Sequence, residues 1–581
     1  MATSASAVAD QSDAGDVLVV GAGPVGLTLA IDLAQRGVRV TVIERSLEPR
    51  QLPKMERCNA RSMEIFRRLG LADRIRAASR FIDVPMDVFV CTRLTDPPLL
   101  HLRYPSVTAA KARAAHCHDG SQPLEPAQLI SQYTLEPLLE RALAELPVAR
   151  LVRGLEFQSL TQDETGVSVT ATDRSGASRQ LRARYLVGCD GGTSAVRKAL
   201  GIALEGQGRI KQVHQVFYRS ETLFERIPIG KGRHYYFPEG AIVVQDDLRH
   251  FMTNFNELGE DEDPAARLRA LIGFEVDLEI LSRASWHYNQ LVARHYQDGR
   301  VFLAGDSAHL VIPQGGLGMN TGVGDATDLA WKLAATLRGW GGPHLLATYE
   351  LERRQVGLRN RAASALAVEG VRKWREAASP AFRDATPEGL ANREQVARLA
   401  AVGQPTGHEF LGVELGYRYD ASPLVCPPPG SPPPHTFTYE PNAWPGTRLP
   451  SLWCADGSAL HDRLGTGYSL LKFGAGETGT AHAADGAGTG GVAGLPDVPD
   501  LPDTTALEAA VRATGAPLQV LTLPGQPFRA VYGARLVLVR PDLHVVWRGD
   551  GAPADPGAIA AAATGRNPIA PDALPTAYRL A

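Results

Sequence analysis

Residues 17–44 read "VLVVGAGPVGLTLAIDLAQRGVRVTVIE", and their pattern decides the fold. Four apolar residues suit a short buried strand and "GAGPVG" suits a turn. The apolar positions of "PVGLTLAIDLAQRG" then recur at helical spacing until Gly37 closes the helix. "VRVTVIE" follows as a second strand. Strand, crossover helix and strand in this order build a parallel sheet, so an α/β class with a Rossmann-like opening is expected. Three glycines and a proline interrupt the apolar run, which argues against a membrane span.

Gly21, Gly23 and Gly26 keep a spacing with a chemical meaning. The first permits a tight turn, the second lets backbone approach a pyrophosphate, and the third lets helix and strand pack closely, while the helix N-terminus supplies positive potential. Glu44, at the end of the second strand, is placed to accept hydrogen bonds from a ribose diol. Together these indicate an ADP moiety and leave nicotinamide or flavin open. Two later strand-then-loop units decide between them: "ARYLVGCDGGTSAVRKALG" at 183–201 and "GRVFLAGDSAH" at 299–309. Each sets an acid, Asp190 or Asp306, just past a strand, where an extended FAD would reach and a nicotinamide dinucleotide would not.

The rest of the chain bounds the reading. At 581 residues it is expected to hold several domains, and a formal net charge of −3 gives no signal for nucleic acid. The six cysteines form no CxxC, so neither a zinc ribbon, nor any other metal site, nor a dithiol motif is expected. The first residues lack the basic and apolar regions of a signal peptide, which makes a cytoplasmic enzyme the expectation. Residues 205–295 are rich in Tyr, Phe, Val and Trp and contain the hairpin-like "HYYFPEGAIVVQ", as an inserted, mostly-β domain would. Prolines near 425–450 read as a stiff linker, and "GAGETGTAHAADGAGTGGVAGLPDVPDLPD" as a low-complexity loop.

The three motifs, in their order over about residues 16–370, resemble the class A flavin-dependent aromatic monooxygenases, the hydroxylases similar to para-hydroxybenzoate hydroxylase. The resemblance implies that Gly21, Gly23, Gly26, Glu44 and Arg45 hold the ADP end, with Gln132 near the pyrophosphate. Asp190 would serve flavin and nicotinamide, and Asp306 a ribityl hydroxyl. The segment from Pro313 to Asn320 would pass along the ring, with the amides of Gly318, Met319 and Asn320 at its pyrimidine edge. Lys54, where many relatives carry Arg, and Arg61 are further flavin candidates, and Asp328 replaces a frequent Asn. "GVELGYRYDASPLV" and "ARLVLVRPDLHVVWRG" resemble the tail of phenol hydroxylase and 2-hydroxybiphenyl 3-monooxygenase. They imply a thioredoxin-like domain lacking CxxC, with a packing or oligomer-contact role such as a homodimer would need.

The domain expectation is then a disordered tail at 1–15; an FAD-binding domain from 16–85, 125–204 and 296–380; a substrate-binding domain from 86–124 and 205–295; a linker at 381–445; and the thioredoxin-like domain at 446–581. The implied activity is hydroxylation of a phenolic substrate with NADPH or NADH and O2, through a flavin C4a-hydroperoxide. Since flavin does the hard chemistry, the protein's part is to position the ring, exclude water and stabilise charge, and deprotonation of the phenol is what it could add. A Tyr (pKa about 10) or a His (about 6.5) suits that task. Tyr236, His214 and His287 are the candidates, and the absence of Arg from "AIVVQ" favours an uncharged phenol. Three alternatives compete: a non-catalytic or substrate-sequestering flavoprotein, a flavin-dependent halogenase, whose WxWxIP stretch is absent, and a hydrolase built on Asp306, Ser307 and His309. Those three lie too close in sequence to form a relayed triad easily.

Overall fold

The computed structural model describes residues 12–430, 437–474 and 501–569. Its central sheet is parallel except at one edge, with strands ordered 297–298, 301–303, 185–188, 17–20, 40–44 and 149–153. Val17–Val20 is buried along its whole length, as a strand covered on both faces must be. Pro24–Gln35 packs on the long helix Leu317–Leu337, which gives the sheet one of its covering layers. All three motif loops leave the sheet at the carboxyl ends of neighbouring strands, where open α/β sheets bind ligands.

A meander of Leu155–Gln162, Val167–Asp173 and Ser178–Ala183 extends this part. Residues 12–13 pair with it in parallel, so they are strand rather than the disordered tail expected there; residues 1–11 lie outside the described part. The inserted β part is a seven-stranded sheet ordered 279–287, 212–219, 250–255, 240–244, 234–237, 88–90 and 100–102. One face of it packs a core of Phe89, Tyr235, Phe237, Ile242, Phe251 and Phe255. The other turns toward the nucleotide-binding part.

Much of the segment expected as a linker is folded. Thr348–Glu376 is followed by a second helix, Pro387–Gly403, whose Val396 and Ala400 are fully buried, and by the short helix Leu411–Leu415. The prolines suggested extended chain; the amphipathic run upstream of them decided otherwise. Residues 431–436 of the proline stretch and 475–500 of the low-complexity loop lie outside the described part.

The C-terminal part has four strands ordered 518–523, 468–473, 536–539 and 545–549. The first pair is parallel and joined through Thr505–Ala513; the others are antiparallel and lead to Pro556–Ala563. This sheet shares a core with the nucleotide-binding part. Trp331 and Trp340 stack 6.2 Å apart, and Tyr468 meets both edge-on. Burying side chains of this size contributes about 2–3 kcal/mol each, so the seam is a permanent one.

Candidate active site

The first loop is shaped by steric demand. Gly21 has φ +107°, and a Cβ there would stand 2.5 Å from the Cys189 carbonyl oxygen; at Gly26 it would stand 2.1 Å from that of Gly21. At Gly23 a Cβ would meet only Glu136 Oε1, at 3.9 Å. Two glycines are therefore forced by the protein's own backbone, and the third borders open space at a helix N-terminus, as a diphosphate cradle requires. Glu44 accepts Ala22 N at 2.9 Å and Ser46 N at 2.8 Å, which locks the loop and leaves lone pairs for a diol.

Around this space stand Gln132, whose Nε2 donates to Glu136 at 2.5 Å, and Lys54. Burial pushes the Lys54 pKa below its ordinary value, with Arg50 adding to the fall and Asp306 and Glu136 opposing it. Arg45 is two-thirds exposed and, among the described residues, pairs with Glu156 at 3.9 Å. Asp190 is spent locally: it accepts Ser194 Oγ at 2.5 Å and the amides of Ala195 and Val196, capping Ala195–Ala199. Arg61 needs correction. Its guanidinium turns away from the cleft and donates to the Asp542 carbonyl at 2.9 Å, drawn there by the C-terminal hairpin that sequence distance concealed.

The segment from Pro313 enters the first turn of Leu317–Leu337, where the leading N–H groups have no partner within the helix. Gly318 and Met319 are in that turn. Asn320 uses its side chain as a staple, accepting Asn59 N at 2.9 Å and donating to Gly316 O at 2.6 Å. Arg57, missed from the sequence, donates to Gly315 O at 2.9 Å while paired with Glu414 at 3.1 Å. These contacts fix a strap of backbone without occupying its outer side.

Gln314 of the strap reaches Tyr288, beside the second face of the seven-stranded sheet. Side chains alternate between faces along a strand, and cross-strand partners share a face. The pairings Tyr236↔Ala241, Ala241↔Asn254 and Asn254↔Gln215 put these four on one face with His234, Val243 and Met252. His214 pairs with Phe255, and Gln212 with His287, so both histidines project from the opposite face. His214 is half-exposed there against Ser285 Oγ at 3.1 Å. Two of the three sequence candidates are thus corrected by strand parity alone. Trp286, next to His287, takes the Tyr236 side and lies 5.4 Å from Tyr288, whose hydroxyl accepts Gln314 Nε2 of the strap at 3.0 Å.

Tyr236 sits in a cluster the sequence did not announce. Its hydroxyl is 3.4 Å from His234 Nδ1, and His234 Nε2 is 2.8 Å from Glu56 Oε1. Burial raises the Tyr236 phenol to about 12, and burial also lowers His234, which is neutral for that reason. Glu56 is held below its ordinary value by His234, Arg233 and Arg57 against the cost of its own burial. His408 lies 5.7 Å from the Tyr236 ring and accepts Arg233 Nη2 at 2.8 Å. Arg375 lies over the same ring at 5.7 Å, so a cation does reach this face, though from a distant helix rather than from "AIVVQ". Asn254 Oδ1, on the same face, is buried without a hydrogen-bond partner among the described residues.

A family model described as an FAD binding domain matches residues 14–364. The FAD-dependent monooxygenase apdD of Emericella nidulans is 33% identical over 92% of this chain and 88% of its own. Phenol 2-monooxygenase of a Pseudomonas strain is 29% identical over 93% of this chain and 91% of its own. Among solved structures, the rebeccamycin biosynthetic enzyme RebC with reduced flavin superposes with a TM-score of 0.82 at 33% identity, covering 96% of this chain and all of that one. No helix among the described residues is long and apolar enough to cross a membrane.

Proposed function

From the premise that this chain belongs to the FAD-binding-domain family and is an FAD-dependent aromatic monooxygenase, we propose that it hydroxylates a phenol whose proton leaves through Tyr236, His234 and Glu56. The observation that carries this reading is the alignment of those three groups at the Tyr236 face of the sheet. Bound FAD supplies the redox chemistry, drawing electrons from NAD(P)H and activating O2. Gly21, Gly23, Gly26 and Glu44 would hold its ADP end, Lys54 and Gln132 its diphosphate, and Asp306 its ribityl chain. The Pro313–Asn320 strap, with the N–H groups of Gly318 and Met319, would line its ring. The donor set suits an anionic, planar group.

The protein's own residues then handle the proton. Glu56 Oε1, 2.8 Å from His234 Nε2, would favour the proton on that nitrogen and leave a lone pair on Nδ1 toward the Tyr236 hydroxyl. Tyr236 Oη takes the substrate's phenolic proton while passing its own to His234 Nδ1, and the imidazolium so formed is stabilised by Glu56. The phenolate left behind is more electron-rich at its ortho and para carbons than the phenol. Carboxylate, imidazole and hydroxyl are arranged as in a hydrolase triad, but here the hydroxyl relays a proton and attacks nothing.

Beside Tyr236 on this face stands only the small Ala241, with Gln215 and Asn254 on the strands beyond. The small Ala241 side chain and the unpartnered Asn254 Oδ1, which could accept from a second substrate donor, support a substrate larger than a single phenol ring. The parallel βαβ unit followed by an antiparallel ββα unit supports a thioredoxin-like reading of residues 446–581. A screen of one-ring and fused-ring phenols, scoring NADPH oxidation together with hydroxylated product, tests the proposal. Stimulation and product are expected with the larger phenols, and oxidation that no phenol stimulates would count against it.

A further inference from the structure

The hairpin segment "LVRPDLH" at 538–544 takes no part in the relay or in the cofactor cradle, yet it carries the most heavily bonded side chain in this region. Arg540 is fully buried. It donates Nη1 to Glu352 Oε1 at 2.5 Å, and Nη2 to Glu352 Oε2 at 3.0 Å, to Asp328 Oδ1 at 3.1 Å and to Asp542 Oδ2 at 2.6 Å. Lys332 Nζ is the second cation, 2.7 Å from Asp328 and 2.6 Å from Glu352. Three carboxylates share two cations, and burial together with Glu352 pushes Asp328 up as the surplus acid.

From this hub a chain of buried contacts runs to the third motif loop. The Arg540 guanidinium lies 5.2 Å over the Tyr419 ring, and the His544 ring packs on the same tyrosine at 4.4 Å. The Tyr419 hydroxyl accepts Arg353 Nη1 at 3.0 Å. Arg353 donates Nε to Asp325 Oδ1 at 2.8 Å and Nη2 to Thr321 O at 3.0 Å. Asp325 Oδ2 in turn accepts Gly305 N at 3.0 Å and lies 2.8 Å from His309 Nε2. Gly305 and His309 bracket Asp306. His309, which invited a hydrolase reading, is therefore an anchor of the turn.

We infer that Arg540 is a positioning residue for the cofactor: through Tyr419, Arg353 and Asp325 it fixes the Gly305–His309 turn, so the C-terminal domain sets how tightly the nucleotide-binding part holds FAD. The inference rests on the FAD reading above. Side chains in this chain of contacts are shut off from water, so a change at one link is passed to the next rather than absorbed by solvent.

The test is fluorescence titration of the full, flavin-stripped chain with FAD, together with hydrogen exchange of the Gly305–His309 amides. The triple variant R540M/E352Q/D542N leaves Asp328 paired with Lys332 and sets an amide, not a carboxylate, beside the neutral His544, so no buried carboxylate is stranded. Y419F removes a single hydroxyl. Each is expected to weaken FAD binding roughly tenfold or more and to speed exchange at the turn, with R540K recovering most of the loss. Binding within about twofold of the parent and unchanged exchange at the turn would overturn the inference, as would a general loss of stability with unaltered FAD affinity of the folded fraction. Failure of the parent chain to bind FAD would instead remove the reading beneath it.

Discussion

Glu56 Oε1 stands 2.8 Å from His234 Nε2, while the other ring nitrogen, Nδ1, lies 3.4 Å from the Tyr236 hydroxyl. A carboxylate at Nε2 keeps the proton there, so Nδ1 offers a lone pair to the phenolic hydroxyl. Replacing Glu56 by Gln keeps the size and weakens the preference. The expected outcome is a fall in kcat of roughly tenfold to a hundredfold with little change in KM, read from steady-state product formation.

Tyr236→Phe removes the group that receives the substrate's proton and leaves the strap untouched. Hydroxylated product should fall by about a hundredfold, while NADPH oxidation continues and its electrons appear as peroxide. Quantifying product and peroxide against NADPH consumed checks this. Full coupling in the variant would exclude Tyr236 from the relay.

Gly23→Val separates folding from cofactor binding. Gly23 has φ −76°, which any residue adopts, and a Cβ there meets nothing closer than 3.9 Å. The melting temperature of the flavin-stripped chain should stay within about 2 °C of the parent, since substitutions free of steric or polar conflict cost little. FAD affinity should drop by more than roughly tenfold, because the added methyl groups occupy the path of the diphosphate.

Acidification should destabilise the fold in a definite window. Burial lowers His544 to about 4 and holds His408 and His461 well below their ordinary value. Each is neutral in the folded chain and takes up a proton near pH 6.5 once unfolded, so the unfolded state binds more protons below that pH. Stability is complete above about pH 7 and declines as pH falls from about 6.5 toward 4. His544 alone accounts for roughly 3 kcal/mol, at about 1.4 kcal/mol per pKa unit. Thermal unfolding across this range checks the slope, and a flat profile would contradict the buried neutral histidines.

Asp328→Asn should be nearly silent. Burial and the neighbouring Glu352 disfavour the charged form of Asp328, and an amide keeps its size with Lys332 still beside Glu352. A change in melting temperature of only about 2–3 °C is expected. A large loss would show that Asp328 carries full charge in the fold.

The sequence made the nucleotide-binding half legible because its signals are local. Gly21 and Gly26 are required by backbone only a few residues or one strand away, and the three strand ends announce themselves by composition. The relay was only partly legible. Tyr236 and His234 are two apart on one strand, so parity links them, but Glu56 and His408 arrive from segments with no local mark of chemistry. His214 and His287 looked equivalent to Tyr236 until pairing register fixed their face. Arg61 and Arg540 were hidden for the same reason: each is explained by a partner hundreds of residues away.

The most direct test of the relay is the pH profile of product formation by the parent enzyme and by His234→Gln. With the relay intact, the rate should be level through neutral pH, because Nδ1 accepts the proton whatever the bulk pH above the low pKa of His234. In His234→Gln the substrate must ionise unaided, so the rate should be depressed by roughly a hundredfold near pH 7 and climb toward about pH 10, the range of a free phenol. Identical profiles for the two enzymes would contradict the account.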